Sequence, residues 1–243
     1  MTPPSAIQPT PYSLQASCEL SEDHFLTSDL VMAADDEVIP FVNPYTQMVE
    51  AIIFSHANSG TVYHLQRDPS ATTGWTPVVL NLSGNVVNPT DVAVAGNGSA
   101  VYMLVFGSPD NQWNAPAWVT KLDSASQWDG GNIATYDDLG FTDLGIDPST
   151  IGQFKGGIDR GGNCYFYGSA TNTSIQRTYL FSWIATSAAE GNVSYQLLQS
   201  LDSSELTISD YIMLFDTSTS AHPVGYSLIL TSDNYLNVYA EIP

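Results

Sequence analysis

Basic residues are scarce in this chain of 243: Lys and Arg number 5 against 25 Asp and Glu, for a formal charge of −20. A field of that sign opposes phosphate backbones and anionic bilayers, which excludes nucleic acid as a partner. Cysteine is almost missing. Cys18 and Cys164 lie far apart, keep no metal-ligand spacing and cannot form the disulfide framework of a small secreted domain, so free or buried thiols are expected. No apolar run reaches the roughly 18 residues of a membrane helix, so no membrane insertion is expected. The start, Met1 to Pro11, lacks the basic and apolar regions of a signal peptide, which predicts a protein that is cytoplasmic or secreted without such a signal.

Catalytic signatures are missing too. No nucleophile elbow, phosphate-cradling loop or dinucleotide fingerprint occurs, and no cofactor is expected. His24, His56, His64 and His222 show no zinc spacing; His56 and His64 flank one turn and could meet across it, but satisfied or solvent-facing rings are the expectation. The acidic groups Asp35-Asp36-Glu37 and Asp137-Asp138 with Asp143 and Asp147 lack the alternating oxygens of a calcium loop and read as solvated turn carboxylates. A carboxylate pair for glycoside hydrolysis would leave no motif if its members came from separate segments.

What the chain has in abundance is the hairpin. Val92 to Phe106 holds two apolar arms of strand length joined by Asn97-Gly98, residues that tolerate the positive φ of a tight turn. Similar units run from Asp29 to Val42, Ala51 to Arg67, Gly156 to Gly168 and Gly225 to Tyr239. Further strands are predicted at Thr76 to Asn81, Ala117 to Leu122, Thr178 to Ile184, Val193 to Gln199 and Tyr211 to Phe215, with one more embedded in the polar passage from Asp123 to Pro148. Gly156, Gly157, Gly161 and Gly162 are read as serving a turn.

Tyr63, Tyr102, Tyr165 and Tyr235 recur near the start of the second arm, at uneven intervals around the roughly 40 to 50 residues of a four-strand propeller blade. About sixteen strands predict an all-β fold, a β-propeller of four or five blades, with a β-sandwich or jelly roll as the alternative. Residues 1–20, with Pro3, Pro4, Pro9 and Pro11, form an extended lead-in whose Tyr12 to Leu20 could complete the last blade, and 21–243 form one domain.

Trp75, Trp113 and Trp128 sit in polar, loop-like text beside Gln112, Asn114 and Asp129. An aromatic plane next to amides and a carboxylate complements a sugar, which offers a C–H face and a rim of hydroxyls. Gly60-Thr-Val-Tyr63-His-Leu-Gln-Arg67 followed by Thr73-Gly74-Trp75-Thr-Pro-Val resembles the strand, turn and Gly-Trp corner of lectin-type propellers of the tectonin and tachylectin group. The other hairpins lack that corner. The resemblance implies sugar pockets between neighbouring blades. The expected function is thus a carbohydrate-binding, lectin-like propeller without catalytic activity, with glycans or glycoconjugates as partners and Trp75, Trp113, Trp128, Gln112, Asn114, Asp129 and Arg67 as ligand-binding residues. The alternatives are a propeller enzyme, a hydrolase or cyclase, and a protein-interaction scaffold.

Overall fold

The computed structural model describes residues 33, 35–56, 60–67, 75–82, 86, 88–107, 117–134, 140–159, 161–189, 195–202, 208–216, 224–231 and 235–240. These form an all-β structure of fifteen strands in four antiparallel sheets. Sheet A holds β1 (Glu37–Val42), β2 (Val49–Ser55), β3 (Thr61–Arg67) and β4 (Trp75–Val79). Sheet B holds β5 (Pro89–Gly96), β6 (Val101–Gly107), β7 (Ala117–Leu122) and β8 (Trp128–Ala134). Sheet C holds β9 (Gly152–Ile158), β10 (Cys164–Asn172), β11 (Arg177–Ile184) and β12 (Tyr195–Asp202), with a short helix α1 (Ala185–Ala189) after β11. Sheet D holds β13 (Ile208–Asp216), β14 (Val224–Thr231) and β15 (Leu236–Ala240). Within every sheet the strands lie in chain order, so each sheet is a meander.

Alternation along the second strands explains why the sheets stack in series. In β6, Val101, Met103 and Val105 join Ile52, Phe54, Val62 and Trp118 in a core between sheets A and B. Its other face, Tyr102, Leu104 and Phe106, joins Phe154, Phe166, Phe181 and Trp183 in a second core between B and C. All six side chains are buried, so this continuous apolar run is a strand buried on both faces rather than a helix. β10 repeats the device: Cys164, Phe166 and Ala170 face B, while Tyr165 and Tyr167 face Tyr211 and Ile229 of sheet D. Four sheets in series replace the two facing sheets of a sandwich.

The hairpins predicted at Ala51 to Arg67, Val92 to Phe106, Gly156 to Gly168 and Gly225 to Tyr239 are present, but they are not equivalent. Two of them are first and second strands of a sheet, and two are second and third strands. That difference of phase is why the tyrosines recur unevenly. The true repeat is marked by the fourth strand: β4, β8 and β12 open on Trp75, Trp128 and Tyr195. Of the hairpin predicted at Asp29 to Val42, residues 29–32 and 34 of the first arm lie outside the described residues, and the second arm is β1.

Candidate functional site

The first strands β1, β5 and β9 converge, β5 packing on both of the others. The Phe154 amide donates to Asp91 Oδ2 at 3.0 Å, and two residues further on Gly156 lies against the Val94 carbonyl. The two contacts advance together, so β5 and β9 run in the same direction. Gly156 makes this approach possible, since a Cβ there would stand 1.8 Å from Val94 O. Glycine inside a strand marks such close backbone contact. The expectation that Gly156 serves a turn is therefore corrected; Gly162, with φ of +88°, does serve one.

Where the three strands end, a pocket of about 450 Å³ opens between Pro40–Val42 of β1, Val94–Gly96 of β5 with Gly98 of its turn, and Gly156–Ile158 of β9. Among the described residues no ionisable side chain lines it. Each of the three strands is the edge of its sheet, and an edge strand directs a row of backbone N–H and C=O groups away from its own ladder. On the β5 and β9 sides the lining includes Gly96, Gly98, Gly156 and Gly157, which carry no side chain to cover that backbone. The chemistry offered is thus backbone donors and acceptors beside the apolar Phe41, Val94 and Ile158.

Behind this wall lies a buried polar network. Phe41 touches His64 and Trp128, with ring centroids 5.6 and 5.8 Å away. Trp128 Nε1 donates to His64 Nδ1 at 3.2 Å, which makes Nδ1 the acceptor and places the ring hydrogen on Nε2. Nε2 donates in turn to Glu50 Oε2 at 2.8 Å. Asn43 Nδ2 reaches both Glu50 oxygens at 3.1 Å, and its Oδ1 accepts from the Tyr45 and Thr46 amides. Asn43, Glu50 and His64 are all buried. The network ties the β1–β2 turn to β3 and to β8 of the next sheet, and it holds Phe41 in place at the pocket.

The opposite ends of the first strands carry carboxylates. Burial pushes the Asp91 carboxyl up to about 6 from the usual 3.8; the Phe154 hydrogen bond opposes this and the Glu37 charge adds to it. A group that binds its proton more tightly when folded adds stability as pH falls through that window and removes it as pH rises. Elsewhere the direction is reversed. Hydrogen bonds from Ser149 hold Asp147 below its usual value, and the Lys155 ammonium does the same for Asp210. Burial works against Asp159, but bonds from Asn163, Tyr165 and Gly161 outweigh it and leave its carboxyl low. These three favour the folded state above pH 3.8 and lose that effect below it. Stability is therefore expected to peak at about pH 4 to 5. Asp91→Asn should flatten the fall between pH 4 and 6 and raise stability at pH 7 by up to about 3 kcal/mol, measured by urea unfolding at both pH values. An unchanged pH profile would count against the buried-carboxyl account.

The structure brings two of the sequence-predicted ligand residues together. Arg67 and Trp75 are opposite each other on β3 and β4, with the guanidinium carbon 5.2 Å from the indole centroid, and Trp75 is half-buried. Trp128 is elsewhere. It opens β8 rather than sitting in a loop, is buried at 7% exposure, and has its ring against Phe41 and His64. Asp129 follows it in β8. Trp113, Gln112 and Asn114 lie outside the described residues. His56 and His64 do not meet: His56 Nε2 stands 3.9 Å from Glu37, and His64 faces Glu50. Among the described residues no group of three His, Cys, Asp or Glu converges as a metal would need, and Asp147 caps the turn Pro148–Thr150. Sequence reasoning missed the pocket residues Phe41, Val94 and Ile158. The available signal was the Gly156-Gly157 pair within a strand-like run.

No protein-family model and no curated protein matches the sequence.

Proposed function

We propose that the four sheets are blades of a four-bladed β-propeller and that the protein is a non-catalytic binding module for a neutral, hydroxylated small molecule, a saccharide by chemical class. Two features of the fold support the propeller. Each sheet is a meander in chain order, and the first strands pack on one another in sequence, β1 on β5, β5 on β9 and β9 on β13. That is the arrangement of innermost strands around an axis.

The observation that carries the ligand class is the make-up of the pocket at β1, β5 and β9. Backbone amides and carbonyls suit hydroxyl groups, and Phe41, Val94 and Ile158 suit a C–H face. A charged ligand would find no counter-charge among the described lining residues. The lectin-like text around Gly60 to Val78 points to the same class, but the site moves from the loop tryptophans to the axis. An enzyme reading would require an acid or base on the same cavity, and among the described residues its lining supplies none.

Ile158 is 49% exposed, so it can be enlarged without entering the core. Ile158→Trp is expected to fill the pocket and weaken binding of a glycan-array hit at least tenfold, about 1.4 kcal/mol, by titration calorimetry. Binding that persists unchanged in this variant, or an array without any hit, removes the reading.

A further inference from the structure

Three asparagines close three turns in the same way. Asn43 Oδ1 accepts from the Tyr45 and Thr46 amides, Asn97 Oδ1 from the Ser99 and Ala100 amides, and Asn172 Oδ1 from the Ser174 and Ile175 amides. Each then uses its Nδ2 to tie the turn to another segment. Asn43 donates to Glu50 and Ser126, Asn97 to the Gly162 carbonyl at 2.6 Å, and Asn172 to the Leu144 carbonyl at 2.9 Å. They differ in the residue that follows. Asn43 precedes Pro44, Asn172 precedes Thr173, and Asn97 precedes Gly98, the only Asn-Gly pair in the chain.

We propose that Asn97 is a self-modification site, at which deamidation releases the strap between the β5–β6 turn and the β9–β10 turn. The Gly98 nitrogen gives up its proton to solvent and bonds to Asn97 Cγ. The Cγ–Nδ2 bond breaks, and Nδ2 takes a proton from water and leaves as ammonia. Water then opens the cyclic imide at one of its two carbonyls, which leaves either an aspartate at 97 or the isomer whose main chain runs through the side-chain carbon.

The three turns explain why this occurs at 97 and not at 43 or 172. The Pro44 nitrogen has no hydrogen to lose, and Thr173 sets a branched side chain beside the attacking nitrogen. Gly98 sets none there, and even an added Cβ would meet nothing within 4 Å. Asn97, Gly98 and Ser99 are exposed, so water reaches both steps. The Ser99 and Ala100 amides, at 3.0 and 2.9 Å, already point at Oδ1, the oxygen on which negative charge develops as the nitrogen adds.

The consequence for the fold follows from the loss of Nδ2. A carboxylate has no hydrogen for the Gly162 carbonyl and sets one negative oxygen against another, in a chain whose formal charge is already −20. Both turns border the pocket, whose lining includes Gly98 and runs along β9 to Ile158. Conversion therefore loosens that rim and brings a charge to it.

The site is tested on full-length protein held in mildly alkaline buffer, where the amide gives up its proton more readily, with each asparagine followed by tandem mass spectrometry. Asn97 is expected to convert ~10-fold faster than Asn172 or more, the ratio given by a barrier difference of ~1.4 kcal/mol. Gly98→Ala should slow Asn97 by a similar factor, and Thr173→Gly should bring Asn172 up towards the Asn97 rate. Equal rates at 97 and 172, or a Thr173→Gly change without effect, overturn the site. The strap is read separately, by hydrogen exchange in the turn after β9. Converted protein, isolated by its added charge, should exchange faster there than fresh protein. So should Asn97→Ser, which keeps an acceptor for its own turn but has no Nδ2 and adds no charge. Unchanged exchange in either overturns the release. Neither readout uses a ligand, so the proposal stands or falls apart from the saccharide reading.

Discussion

Gly156→Ala is expected to lower stability by about 3 kcal/mol or more, the upper range for overpacking a close-fitting site, and to lower Tm by about 10 °C. The reason is geometric. The new Cβ would stand 1.8 Å from the Val94 carbonyl oxygen, 2.4 Å from its carbon and 2.9 Å from Ala95 Cα. All three are backbone atoms of β5 and cannot swing aside as a side chain would, so β9 itself has to retreat. Retreat opens the core in which Phe154 meets Phe106 and Trp183, and it splays the pocket that both strands line. Gly98→Ala provides the comparison. Its φ is +78° and nothing lies within 4 Å of the added carbon, so only the left-handed backbone penalty applies, about 1 kcal/mol. Thermal and urea unfolding of the two variants separate contact from conformation. Equal losses would contradict the packing assigned to β5 and β9.

Glu50→Ala is expected to cost about 3–5 kcal/mol, the range for removing one member of a buried ionic or hydrogen-bonded pair. The lost carboxylate accepts from His64 Nε2 and Asn43 Nδ2; its removal strands the His64 N–H in a buried volume and leaves Asn43 Nδ2 with Ser126 Oγ as its acceptor. A stranded buried donor costs more than the bond it once made contributes. Pairing this change with His64→Leu removes the stranded donor, so the double variant should be less destabilised than the two single losses added together. The double-mutant cycle is read by urea unfolding. A Glu50→Ala loss below about 1 kcal/mol would show that the network is not closed to water as the geometry has it.

Much of the strand pattern could be read from the chain. The Asn97-Gly98 turn between apolar arms was recognisable because its chemistry is local: Asn97 Oδ1 accepts from the Ser99 and Ala100 amides, and glycine takes the positive φ. What local pattern does not carry is phase. Tyr63 and Tyr102 occupy similar places in similar hairpins, yet one is in a third strand and the other in a second. Trp128 shows the same limit from another side. Its polar neighbours Gln127 and Asp129 resemble a binding loop, but they belong to the turn and strand around a ring whose N–H is directed inward to His64.

The amino-acid sequence by itself determined that the protein is β-rich, acidic and built from hairpins, because turn residues and strand-length apolar runs act over a few positions. The tertiary structure alone decided which hairpins make one sheet, that Trp128 is core, and that the pocket lies where β1, β5 and β9 converge. Those outcomes depend on contacts between residues 50 to 100 positions apart, such as His64 with Trp128 and Asp91 with Phe154. Each such contact is made by a residue whose sequence neighbours would suit a surface equally well, and only the approach of another sheet turns it into a core or a site.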